Sequence, residues 1–302
     1  MPRQQLRDMA ALTRVLLVVA LLRAMSANSR PKGCYRELEE PLPSQILTKP
    51  PHLYVNPADL PNNFDWRMVN GTNFVSAPTN QFLPSPCGCC WAHAAVGALL
   101  DRMIIATKSL QSFVPLSPQV LLDCEDPDLG SCKGGSALGA YKFIAKNGIT
   151  DVTCSPYMGV DYFYWAEKPC NETMCRTCGI DGQCQFVQGP TYTITEYGTV
   201  MGEEEMIVEI FSRGPIACSI YAHSAAFENY SSGVIQDPTP YNYTTHVIVV
   251  TGWGAGSDGT KYWIGRNSYG TAWGELGWFK LERGTNALDI EKHTCAWAVP
   301  KI

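Results

Sequence analysis

Gln81-Phe82-Leu83-Pro84-Ser85-Pro86-Cys87-Gly88-Cys89-Cys90-Trp91-Ala92-His93-Ala94 is the stretch on which the reading of this 302-residue chain turns. A helix is expected to begin at Cys90, because Val96, Leu99, Leu100, Met103 and Ile104 recur at the spacing that lines one helical face. A helix N-terminus carries partial positive charge, so a thiol placed there has its pKa lowered, more so beside an imidazolium. The resulting thiolate attacks carbonyl carbon when a base and an oxyanion donor stand close by. A base is available in Thr245-His246-Val247-Ile248-Val249-Val250, and an orienting amide in Arg266-Asn267-Ser268-Tyr269-Gly270. Both lie in β-like settings separated by the turn signal Ser257-Asp258-Gly259, which predicts a hairpin holding His246 and Asn267 near each other.

A composition of 45% hydrophobic and 17% charged residues describes a globular chain and excludes disorder or a fibre. A net charge of -5 without basic clusters argues against nucleic-acid or anionic-membrane partners. At the N-terminus, Arg3, Arg7 and Arg14 precede the apolar run Val15 to Leu22 and the small-residue site Ala24-Met25-Ser26. That is the pattern of a signal peptide over residues 1–26, too short in its apolar part to span a bilayer. Secretion makes the 13 cysteines a disulfide framework, with an odd count that leaves at least one thiol unpaired. Sequons at Asn70, Asn171, Asn229 and Asn242 agree with that route.

Residues 27–59 are rich in Pro, Lys and Glu, lack periodicity and read as a short leader that does not fold alone. The remainder, 60–302, divides into a mainly helical part, about 60–189, and a mainly β part, about 190–302. In the first, Pro118 after the N-cap Ser117 opens a second helix. In the second, strands are expected at Thr191 to Tyr197, Ile216 to Tyr221, His246 to Trp253, Lys261 to Arg266 and Trp278 to Glu282, with a helix from Glu203 to Phe211. Cys175-Arg176-Thr177-Cys178 has zinc-ligand spacing, but no second pair matches it, so neither a metal nor a cofactor is expected.

The run Cys87-Gly88-Cys89-Cys90-Trp91, with His246 and Asn267 downstream, resembles the signature of the papain-like cysteine peptidases. Cys89 stands where that family has Ser or Ala. The Gly33-Cys34-Tyr35-Arg36 leader, the extra residues between Gln81 and Cys87, and Trp91-Ala92-His93-Ala94 narrow the resemblance to the family's cathepsin X (cathepsin Z) branch. It implies an α+β fold of two lobes, with Cys90 on one wall of the cleft between them and His246 on the other. It also implies peptide hydrolysis through an acyl-enzyme. Cys90 would attack, His246 would hold the ion pair and protonate the leaving amine, Asn267 would orient the ring, and Gln81 would bind the oxyanion. Gly134-Gly135 would be the backbone wall for an extended substrate, and Trp273 a shield over the His and Asn pair. Cys34 would cap Cys90 in a zymogen.

Family pairing further implies disulfides 87 with 132, 124 with 170, 154 with 175, 178 with 184, and 218 with 295, leaving Cys89 over. Peptide or protein substrates, inhibitors of cystatin type, a monomeric state and a lysosomal or secreted location are what the family leads one to expect. One departure bears on selectivity. The branch carries, in its inserted loop, a histidine that binds the substrate's terminal carboxylate and so makes it a carboxypeptidase. Here the matching triplet is Phe82-Leu83-Pro84, and an apolar ring cannot pair with a carboxylate. His223, in Tyr221-Ala222-His223-Ser224, is a candidate replacement; without one, an endopeptidase or altered exopeptidase is the alternative. Two rival classes are a thiol-disulfide oxidoreductase built on the C-x-x-C of Cys87 to Cys90, which lacks the expected βαβ unit, and an inactive glycoprotein binding module, against which the intact Cys90, His246, Asn267 and Gln81 set speaks.

Overall fold

The computed structural model describes residues 33–36, 43–108, 114–124, 129–161 and 174–302, all within one compact unit, Gly33–Ile302. The expected signal peptide, Cys170 and Asn171 lie outside the described residues. The architecture is α+β. An 18-residue helix, Cys90–Thr107, starts at the predicted cysteine. The helices Pro118–Asp123 and Ala137–Asn147 follow, each begun by a serine N-cap, Ser117 and Ser136.

Beyond residue 190 the chain builds one large sheet. Across it the strands run in the order Ile194–Val200, Cys295–Pro300, Ile216–Ile220, His246–Ala255, Lys261–Arg266, Trp278–Glu282, Val234–Ile235, with Phe64–Asp65 added beside His246–Ala255. Every pairing is antiparallel except that of Trp278–Glu282 with Val234–Ile235. The first strand begins later than the sequence predicts, at Ile194, because Tyr192 is taken by a separate bridge to Ile149. The predicted helix at Glu203 runs two residues longer, to Arg213, where Gly214 ends it with positive φ.

Side-chain alternation along the strands explains why the apolar runs are continuous. Val247, Val249, Ala217, Ala296 and Ala298 pack into a core with the helix Cys90–Thr107, while Ile248, Val250, Ile216, Cys218, Cys295 and Trp297 pack into a second core. A strand buried on both faces cannot show the apolar-polar alternation of a half-exposed one. The two cores are the two lobes, and the sheet separates them.

Two buried ion pairs bind the helix Cys90–Thr107 to the β-rich half, one to the helix Glu203–Arg213 and one to the sheet. Arg102, fully enclosed, donates to Pro215, Gly214 and Ala298 carbonyls and to Glu209 at 2.8 Å. Asp101, on the adjacent turn face, accepts from Arg266 Nη2 at 2.8 Å and from Ser76. Because Arg266 immediately precedes Asn267, the second pair ties the cysteine-bearing helix to the strand end that carries the predicted orienting amide.

Candidate active site

Cys90 is the first residue of its helix and has no measurable exposure. Its sulfur is joined to Cys34 in a disulfide and also receives the backbone N–H of Val247 at 3.2 Å. His246 heads its strand, 1% exposed, on the opposite lobe. Its Nδ1 lies 3.0 Å from Cys34 Sγ, and its Nε2 lies 2.8 Å from Asn267 Oδ1. A carbonyl oxygen only accepts, so Nε2 carries the hydrogen and Nδ1 presents its lone pair to the sulfurs. Burial lowers the His246 pKa to about 4, with the Asn267 bond opposing and His223 adding to the depression. In the disulfide form the ring is therefore a neutral base.

The hairpin between His246–Ala255 and Lys261–Arg266 brings His246 and Asn267 together, with Asn267 one residue past the second strand. Asn267 N–H donates to Gly277 O, and its Oδ1 also accepts from Ser268 N–H. Aromatic rings cover the pair. Tyr269 lies 4.9 Å from the His246 ring centroid and Phe227 6.0 Å, while Trp273 sits one ring further out, 5.8 Å from Tyr269 and 4.9 Å from Phe227. The expected indole shield is thus a cluster in which Tyr269 supplies the ring next to the imidazole.

Gln81 is 2% exposed and held at both ends of its amide. Its Nε2 donates to Cys87 O at 2.9 Å and its Oε1 accepts from Ser268 Oγ at 2.8 Å. Its backbone N–H donates to Ser268 O, so the loop bearing Gln81 is zipped to the segment that follows Asn267. Sequence reasoning missed Tyr157. Its hydroxyl donates to Gln81 O at 2.7 Å and, with its hydrogen so placed, accepts from Cys89 Sγ at 3.0 Å. Burial pushes the Cys89 thiol up to about 12, the Tyr157 bond opposing, so the unpaired cysteine is a thiol donor and not a second nucleophile. No sequence pattern links positions 89, 157 and 81.

The leader occupies the glycine wall. Arg36 N–H donates to Gly135 O at 2.9 Å, and Gly135 N–H to Cys34 O at 3.2 Å, with Tyr35 bridged to Gly135 in parallel sense. Trp91 lies on the other side of this wall, where a Cβ on Gly135 would come within 2.5 Å of the indole. Only glycine lets a backbone pass between that ring and a bound chain. Further disulfides join Cys87 to Cys132, Cys154 to Cys175, Cys178 to Cys184 and Cys218 to Cys295. Cys124 is also disulfide-bonded, and its expected partner Cys170 lies outside the described residues.

Phe82 is 42% exposed and its ring stands 5.0 Å from Tyr269, with Leu83 exposed beside it. His223 is solvent-reachable and its Nδ1 lies 3.3 Å from Glu228 Oε1. Asn70, Asn229 and Asn242 are exposed. No helix among the described residues is long and apolar enough to cross a membrane.

The geometry has counterparts among known proteins. The model of the papain family cysteine proteases matches residues 60–298. A cathepsin Z of Onchocerca volvulus is 38% identical over 251 residues, covering 80% of this chain and 78% of the relative. A cathepsin B-like protein, CP2, of Giardia intestinalis is 31% identical over 241 residues, covering 79% of this chain and 74% of the relative. The structure of the bromelain protease of Ananas comosus, solved with an inhibitor, is similar at a TM-score of 0.61 and 30% identity over 79% of this chain and 99% of that one. The chain belongs to the papain family of cysteine proteases.

Proposed function

We propose that the chain is a cathepsin X-like carboxypeptidase of the lysosome or an equivalent acidic vesicle, made as a zymogen in which Cys34 caps Cys90. The observation that carries this reading is the facing of His246 Nδ1 onto the joined sulfurs while Nε2 is held by Asn267. Once Cys34 is released, the Cys90 proton passes to Nδ1 and the ion pair forms at a helix N-terminus. Cys90 Sγ attacks the scissile carbonyl, and His246 protonates the leaving amine. The oxyanion meets the Cys90 N–H and the second amide hydrogen of Gln81, the first being held by Cys87 O. Water then hydrolyses the thioester, deprotonated by His246. Gly134 and Gly135 bind the substrate backbone where the leader now lies. Removal of residues 27–59 yields the mature enzyme, 60–302, a glycosylated monomer open to inhibitors of cystatin type.

The inserted loop at Phe82-Leu83-Pro84 limits how far substrate extends, and His223 is the candidate ligand for its terminal carboxylate. A second reading, endopeptidase, is favoured by the Glu228 carboxyl group 3.3 Å from His223 Nδ1, which takes up that nitrogen and sets an acidic group where a C-terminal carboxylate would bind. Mass-spectrometric product analysis of one long peptide distinguishes them: stepwise loss of C-terminal residues supports the carboxypeptidase, internal cuts the endopeptidase. No cleavage at all by protein freed of Cys34 refutes both. If His223→Ala leaves the ratio of free-acid to amidated substrate cleavage unchanged, His223 is not the carboxylate ligand.

A further inference from the structure

Cys34 Sγ, Cys90 Sγ and a ring nitrogen of His246 are buried and lie within 4.8 Å of one another. Two sulfurs and one imidazole form a zinc donor set. The imidazole is already arranged as metal-ligating histidines are, its Nε2–H on a carbonyl oxygen and its Nδ1 lone pair turned to the sulfurs. What prevents ligation is the S–S bond alone.

The leader is held at this spot by more than that bond. Tyr35 N–H donates to Thr245 O at 3.2 Å, on the strand approach to His246, and Arg36 and Cys34 exchange backbone bonds with Gly135. Gly33 rests so close to Thr245 that a Cβ there would fall 2.0 Å from its carbonyl oxygen. Further along, Gln45 and Tyr197 exchange backbone bonds of 2.9 Å each. Glu196 accepts from Leu47 N–H, Thr48 N–H and Thr48 Oγ at 2.8, 2.9 and 2.6 Å. None of these contacts runs through either sulfur, and the disulfide is one tether of the leader among several.

We propose that the reduced, uncleaved chain binds one Zn2+ through Cys34 Sγ, Cys90 Sγ and His246 Nδ1 with the leader still seated, so that reduction alone does not open the cleft when zinc is present. A tertiary phosphine supplies the reduction. Phosphorus attacks one sulfur, the S–S bond breaks, and water converts the thiophosphonium to phosphine oxide, leaving two thiols. Zn2+ then displaces both thiol protons to solvent, forming two Zn–S bonds of about 2.3 Å and one Zn–N bond of about 2.0 Å, with water as fourth ligand. The sulfurs need to part to roughly 3.7 Å, the edge of a tetrahedron with such bonds.

The inference goes beyond the peptidase reading, depends only on the seated leader and is read as bound metal, so its failure and that of the catalytic reading are distinct. Full-length chain is reduced with phosphine until its thiol count rises by two, freed of reagent, and titrated with Zn2+ against a chromophoric chelator. Co2+ serves as a spectroscopic probe in parallel. The expected result is one equivalent of metal in the reduced chain and none in the oxidised chain. A sulfur-to-Co2+ charge-transfer band should have the intensity of two thiolates, falling to about half in Cys34→Ser. Cys34→Ser, treated identically, should bind on the order of 10²-fold more weakly or less. Equal affinity in Cys34→Ser, metal uptake by the oxidised chain with the same affinity, or no uptake after reduction each overturns the proposal. Cys90→Ser, which keeps the leader thiol, should lose the site to the same extent; if it retains wild-type affinity the proposal is likewise overturned.

Discussion

The centre of the cleft and its leaving-group rim are built differently. At the centre, His246, Asn267 and Gln81 are buried, and each is fixed by named partners: a sulfur, an amide oxygen, the Ser268 hydroxyl and the Cys87 carbonyl. At the rim, Phe82 and Leu83 are 42% and 64% exposed, and the contact between His223 and Glu228 is open to water. Exposed pairs of this kind contribute little to stability. Buried groups that lose a partner cost a great deal, so the centre tolerates almost no change. The rim does tolerate it, and it is there that Phe82 stands in place of the histidine of the cathepsin X branch. On the proposed reading, reaction type is set at the buried centre and selectivity at the exposed rim.

The contrast can be broken first at Arg266. Removing a partner of its buried pair with Asp101 leaves an uncompensated charge between the lobes, so Arg266→Ala should lose about 3–5 kcal/mol in denaturant unfolding. A loss below 1 kcal/mol would mean the pair does not tie helix to sheet. Gln81→Ala should lower kcat on the order of 10²–10³-fold with little change in KM, since the oxyanion exists only in the transition state. A change confined to KM would move Gln81 out of the oxyanion site.

Acid sharpens the comparison next. Burial lowers the pKa values of His93 and His246 from 6.5 to about 4. Between those values the unfolded chain binds more protons than the folded one. Stability therefore falls as pH drops from about 6.5 towards 4, by up to about 3 kcal/mol for each imidazole. Thermal melts of the disulfide form across that range should show it, and a flat profile would contradict the burial of both rings. Tyr157→Phe removes one donor to Gln81 O and one acceptor for Cys89, an effect of about 1 kcal/mol. It should appear in kcat as well as in melting temperature; a change in melting temperature alone would make Tyr157 structural only. Smallest is Phe82→Ala at the rim, expected within about 0.5 kcal/mol of wild-type stability while altering substrate preference.

Much of the centre was legible in the chain because it rests on local pattern. The helix at Cys90 follows from apolar spacing, and the meeting of His246 with Asn267 follows from a hairpin with a recognisable turn. Gln81 was reached not from local pattern but from the resemblance to the papain-like family. Tyr157 and Ser268 were not legible as partners of Gln81, nor Cys89 as a partner of Tyr157, because these contacts cross the fold with no periodicity to announce them. The same holds for the Asp101 and Arg266 pair, since charges on a helix ordinarily read as a solvated face. The sheet's strand order, in which Cys295–Pro300 inserts between Ile194–Val200 and Ile216–Ile220, likewise depends on long-range pairing that local sequence does not encode. The leader's seat on Gly135 was foreseen only as a sulfur cap, while its anchoring at Glu196 arises from backbone donors that any sequence would supply.

The most direct test of the account is the pH dependence of Cys90 alkylation, with the labelled site read by mass spectrometry, in chain freed of the Cys34 bond. The account predicts rapid labelling at Cys90 well below the ordinary thiol pKa of about 8.5, lost in His246→Ala and absent while the disulfide stands. Labelling that sets in only near that ordinary value, or that falls on Cys89 instead, would contradict it.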